Sequence, residues 1–173
     1  NPIGHSIEIV LKPYQNTKIY IGTNYGRNRV LADSALLNEK SEGVFKSKTK
    51  LTPGIYFIVS PKYSILFDFL VDEAQHFKII ADTLSLNAFQ IIGSKENDIF
   101  KAYSKSINDL GMQLSAVENK YKTATNAKDS ANFKELYLTK DLEVKAARTN
   151  VIKTYPNSMT SFFLNVMQRP EAP

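Results

Sequence analysis

The chain has 173 residues, 43% apolar and 23% charged, the proportions of one ordinary folded domain or two small ones. It contains no Cys, which excludes a disulfide framework, thiol catalysis, CxxC redox chemistry and thiolate metal sites. Net charge is +5, with 11 Lys/Arg against 8 acids in residues 1–95 and 11 against 9 in 96–173. An excess spread so evenly speaks against a nucleic-acid partner, which calls for basic residues gathered on one face.

From the start to about residue 93 the hydrophobic period is two. His5 to Leu11 places Ile7, Ile9 and Leu11 on one face. Lys18 to Ile21, Val30 to Leu37, Val44-Phe45 and Ile55 to Val59 follow as further strands. Ile65 to Val71 is nearly all apolar and reads as a central strand buried on both faces. Phe77 to Ala81 and Phe89 to Ile92 complete about eight strands. Turn residues separate them, among them Asn24-Tyr25-Gly26, Ser41-Glu42-Gly43, Pro53-Gly54 and Pro61-Lys62. Short strands with regular turns predict an antiparallel β-sandwich or small barrel.

After Gly93 the period becomes 3.6. Ser94 caps a helix whose face carries Ile99, Phe100, Tyr103, Ile107, Leu110, Leu114, Val117 and Tyr121. Gly111 interrupts it at a cost of roughly 1 kcal/mol relative to Ala. Asp129 or Ser130 caps a second helix bearing Phe133, Leu136, Tyr137, Val144, Ala147 and Val151, which Pro156 stops. Asn157 or Ser158 opens a short third helix carrying Met159, Phe162, Phe163, Val166 and Met167, ended by Pro170. The expected architecture is α+β: a sandwich over 1–93, then a helical hairpin and third helix over 94–168. Residues 169–173 read as the start of a linker to a further domain.

The chemistry-bearing residues are sparse. His5 and His76 each open a predicted strand with no ligand at a metal-binding spacing, so both read as strand-end or surface histidines. No nucleophile elbow, phosphate-binding loop or dinucleotide fingerprint occurs. Asp68 and Asp72 could form a carboxylate pair, but four residues apart on a strand they stand about 13 Å apart, too far for a glycosidase. The solvated reading of Asp68 and the turn reading of Asp72-Glu73 are therefore preferred. Lys46, Lys48 and Lys50 alternate as the solvent face of an edge strand or a phosphate patch, the first being favoured. Asp33 lies inside the third strand, where an Asp is unfavourable; it marks a bulge, bonds a neighbouring turn or binds a ligand. Tyr14, Tyr20, Tyr25, Tyr56 and Tyr63 fall at or near turns and either pack half-buried or line a glycan- or peptide-binding face. No catalytic, cofactor or metal residue is assigned.

A series of short motifs in order carries a resemblance: Asp33-Ser34-Ala35, Gly43-Val44-Phe45, Leu51-Thr52-Pro53-Gly54-Ile55-Tyr56, Ile65-Leu66-Phe67-Asp68-Phe69, Ile92-Gly93-Ser94-Lys95-Glu96-Asn97 and Tyr155-Pro156-Asn157-Ser158. Their order and spacing resemble the N-terminal accessory region of Bacteroidetes-type thiol-disulfide oxidoreductases. In that family a β-sandwich and a helical segment precede a thioredoxin-like (redoxin) domain, and the protein is exported to the periplasm or cell envelope. The family's CxxC belongs to the redoxin domain, so no catalytic residue carries over to this chain. The resemblance implies an accessory domain that positions, dimerises or feeds substrate to a redox domain, with that domain or a second copy as partner. The alternative is a free-standing glycan- or peptide-binding sandwich of the envelope. A hydrolase built on Asp68 and Asp72 would need both carboxylates in one pocket.

Overall fold

A computed structural model describes residues 3–167; the expected stop at Pro170 and the linker 169–173 lie outside them. The fold is α+β. Eight strands are followed by three helices, and the chain divides into two compact units, one ending at Asp98 and one starting at Ile99.

In the first unit the strands are β1 (His5–Lys12), β2 (Lys18–Tyr25), β3 (Asn28–Leu36), β4 (Glu42–Ser47), β5 (Gly54–Val59), β6 (Ile65–Val71), β7 (His76–Asp82) and β8 (Gln90–Ile92). They form two four-stranded sheets, ordered β4-β1-β7-β8 and β3-β2-β5-β6. The period-two pattern is realised directly. Ile7, Ile9 and Leu11 of β1 are fully buried while Glu8 and Lys12 point to solvent. Ile19, Ile21, Ile58 and Phe69 of the other sheet meet them in one core with Phe45 and Ile79. Phe69 packs edge-on against Phe77, ring centres 6.1 Å apart, and so joins the two sheets.

Two features depart from the expected arrangement. β1 and β7 pair in parallel, Ile7 opposite Phe77 and Ile9 opposite Ile79, so the sandwich is antiparallel-rich rather than wholly antiparallel. The chain builds the whole of the second sheet between them, and so long a connection can return to the same end of the sheet. β6, expected at the centre of a sheet, is at an edge. Its apolar run signals burial of side chains, which does not require a hydrogen-bonded neighbour on each side.

The free edge of β6 is closed by a side chain instead. Asn97 donates from Nδ2 to Leu70 O and accepts from Leu70 N–H at its Oδ1, both at 2.8 Å. The amide thus supplies the bonds of a missing strand at one position. Asn97 is held by Ser94, whose hydroxyl accepts from the Asn97 backbone N–H at 3.2 Å, the cap expected for the first helix. A 3-10 segment, Thr83–Ala88, separates β7 from β8 and was not foreseen; Asp82 Oδ1 accepts from Leu84 N–H at its start.

The helices are α1 (Lys95–Thr123), α2 (Ala127–Thr154) and α3 (Met159–Met167). The short link 124–126 makes α1 and α2 a hairpin. The cap of α2 is Asn126, not Asp129 or Ser130: its Oδ1 accepts from Asp129 N–H at 2.8 Å, so Asp129 occupies the first turn. There its charge favours the helix N-terminus. Ser158 opens α3, accepting from Thr160 N–H at 3.1 Å. The side chains of Val166 and Met167 fall outside the described set.

Asn97→Ala leaves the Leu70 N–H and C=O without their partner. A loss of about 2–3 kcal/mol in urea unfolding is expected; a variant as stable as the parent would show that the edge needs no closure.

Candidate functional site

Two of the tyrosines are brought together. Tyr20, on the outward side of β2, stacks on Tyr63 with ring centres 5.2 Å apart and planes inclined by 19°. Their hydroxyls lie 3.4 Å apart. Tyr63 sits in the turn after β5 with φ 64°, a left-handed conformation costly for a bulky residue. The turn holds it there: Tyr63 N–H donates to Ser60 O at 2.9 Å, and the Ser60 hydroxyl accepts from Ser64 N–H at 3.1 Å. Tyr63 remains 66% exposed, so the stack presents an aromatic surface to solvent. The bond to Tyr63 holds the Tyr20 phenol above its ordinary 10.0, with desolvation and charge repulsion from Tyr63 adding to it.

The other tyrosines stand apart. Tyr25 is at the tip of the β2–β3 hairpin, 79% exposed, and differs from Tyr20 in strand parity. Tyr14 packs half-buried against the sandwich core. Tyr56 is buried and donates to Thr52 O at 2.6 Å; burial pushes its phenol up.

Asp33 lies at a β-bulge. The pairing of β2 with β3 shifts between Ile21 and Gly22, leaving Ala32 as the extra residue before Asp33. Asp33 Oδ2 is 2.5 Å from His5 Nε2, joining β3 of one sheet to β1 of the other. His5 Nδ1 lies 2.7 Å from Thr49 O. A carbonyl only accepts, so Nδ1 donates to Thr49 O, and Nε2 faces the Asp33 carboxylate. His5 is 4% exposed with both nitrogens engaged, leaving neither to bind a metal or take a proton from a nucleophile. The expectation of a surface or strand-end histidine is half right: His5 opens β1, but inside the protein. The mid-strand Asp was the only sequence signal for this bond.

A groove of about 600 Å³ opens at the same end of β1. It is lined by Ile3, Gly4, Lys48, Lys50, Glu73, Ala74, Gln75 and His76. One wall is fixed by Gln75, whose Nε2 donates to Leu51 O at 2.7 Å and Asp72 O at 2.9 Å while its Oε1 accepts from Leu51 N–H at 2.7 Å. Gly4, with φ 88°, packs so tightly on Ser47 O that a Cβ there would lie 2.0 Å from that oxygen. Lys50 pairs with Glu73 at 3.1 Å across the rim. The three lysines therefore do not share a strand face: β4 ends at Ser47, Lys46 stays on it, and Lys48 and Lys50 turn into the groove.

Neither Asp68 nor Asp72 lines this groove. Asp68 is exposed in mid-strand, and Asp72 lies in the turn after β6 with its Oδ1 accepting from Ala74 N–H at 3.0 Å. Among the described residues no three His, Asp or Glu side chains gather as a metal site, and no helix is long and apolar enough to cross a membrane. Compared with protein-family models, curated proteins and solved structures, the chain matches none of them.

Asp33→Ala removes the side-chain partner of a buried imidazole. It is expected to cost about 1.5–3 kcal/mol by chemical denaturation, and an unchanged midpoint would make the inter-sheet bond idle. For the tyrosine stack the sign is set by the neutral phenol. The folded state keeps the Tyr20 proton longer than the unfolded chain, so this contribution is complete below 10.0 and lost as pH rises through the higher folded value. Tyr63→Phe should lower the Tyr20 transition toward 10.0 in an absorbance titration of phenolate; no movement would show that the two rings do not share a proton.

Proposed function

We propose that this chain is a non-catalytic interaction module: the accessory part of an exported thiol-disulfide oxidoreductase, which positions or dimerises a thioredoxin-like domain. The observation that carries the interaction role is α2. It runs for 28 residues without a single buried one. Its inner residues Phe133, Tyr137, Val144, Ala147 and Val151 are half-buried, and Leu136, Leu138 and Leu142 remain exposed. A helix of this length gains most of its stability from packing, so its apolar surface is suited to a partner. The redox assignment rests on the ordered motifs from Asp33 to Asn97. Periplasmic or envelope location belongs to the same reading.

The test is the reading frame that follows Pro173. A thioredoxin-like domain with a CxxC is expected there; a stop codon removes the accessory reading. A second reading, a glycan-binding sandwich, is favoured by the exposed Tyr20–Tyr63 stack, since a flat aromatic face suits the apolar face of a sugar ring.

A further inference from the structure

The exposed back of α2 carries a second pattern, distinct from the seam it shares with the hairpin. Ala131, Glu135, Leu138, Leu142, Lys145 and Thr149 follow one another at intervals of four, three, four, three and four. That is the spacing of a coiled-coil seam. All six are exposed, Leu138 by 54% and Leu142 by 64%. The stripe is about 27 Å long at 1.5 Å per residue.

The stripe reads alike in both directions about residue 140. Reversed, Leu138 meets Leu142, Glu135 meets Lys145 and Ala131 meets Thr149. A large apolar pair lies at the centre, opposite charges flank it, and small residues sit at the ends. We infer that α2 packs antiparallel on α2 of a second copy of this chain, across a two-fold axis beside Lys140. A two-fold interface requires a patch complementary to itself, and this stripe meets that condition in size, polarity and charge. An unrelated helix would have no reason to match the reversal. In the single chain Lys145 binds Asp141 at 3.0 Å on the solvent side, so its charge is already held at the edge of the stripe. The inference rests on the reading of the hairpin as an interaction surface and goes further by naming the occupant.

The chain should show a concentration-dependent monomer–dimer equilibrium in sedimentation. Glu135→Lys alone places four lysines around the two-fold axis, and Lys145→Glu alone places four glutamates. Each is expected to weaken the dimer about tenfold or more, while the double variant restores the pairing to within a few-fold of the parent. Circular dichroism of each variant checks that the helices persist. A monomer at all concentrations overturns the inference. So does a dimer indifferent to either single change, or one that the double variant fails to restore. None of these outcomes alters the result of the downstream reading frame, so the two proposals fail separately.

Discussion

The parallel pairing of β1 with β7 is the contact on which the sandwich closes. β1 also pairs with β4, so its backbone is engaged on both sides. Its inward residues Ile7, Ile9 and Leu11 are fully buried, at a typical gain of about 1.5–3 kcal/mol for each such side chain. Its first residue reaches across to the other sheet through Asp33. Slipping β1 by one residue would turn Glu8 and Lys12 into the core and lose the His5 bond together. Register, core and inter-sheet latch are therefore one constraint.

Closing the sandwich leaves backbone groups at strand ends and edges without a strand partner. Three polar side chains answer them. Asn97 completes the edge of β6, Gln75 bonds both the N–H and the C=O of Leu51, and His5 takes up Thr49 O. Each bonds backbone directly, and His5 and Asn97 spend what remains on the side chains of Asp33 and Ser94, so these buried polar residues serve the fold. The groove beside β1 is lined by Gln75 and Gly4 together with Lys48, His76 and the paired Lys50 and Glu73.

The helical unit faces the opposite problem. Four of its ion pairs are local, Lys105–Asp109, Lys122–Glu118, Lys140–Glu143 and Lys145–Asp141, and contribute a few tenths of a kcal/mol each. What stays unsatisfied is apolar area. α2 bears one stripe for its hairpin partner and another on its back, and a two-helix hairpin can cover only the first.

Eight strands, a capped first helix, a hairpin and a short third helix were legible in the sequence, because period and punctuation are local properties of the chain. Ser94 as a cap followed from its place before an apolar run, whereas Asn157 and Ser158 stood equal before α3 and the structure chose Ser158. The cap of α2 did not, since Asn126, Asp129 and Ser130 are all good caps and only backbone geometry chooses among them. Strand neighbours were beyond reach for a related reason: an apolar run states that side chains are buried, not which backbone lies alongside, so β6 fell at an edge and β1 met β7 in parallel. The stack of Tyr20 on Tyr63 and the bond of His5 to Asp33 join residues distant in sequence. The sequence by itself determined where elements begin and end and which faces are apolar, since both depend on neighbouring residues. Only the tertiary structure decided which faces meet and which polar groups are spent holding the fold, since those depend on residues the chain brings together by folding.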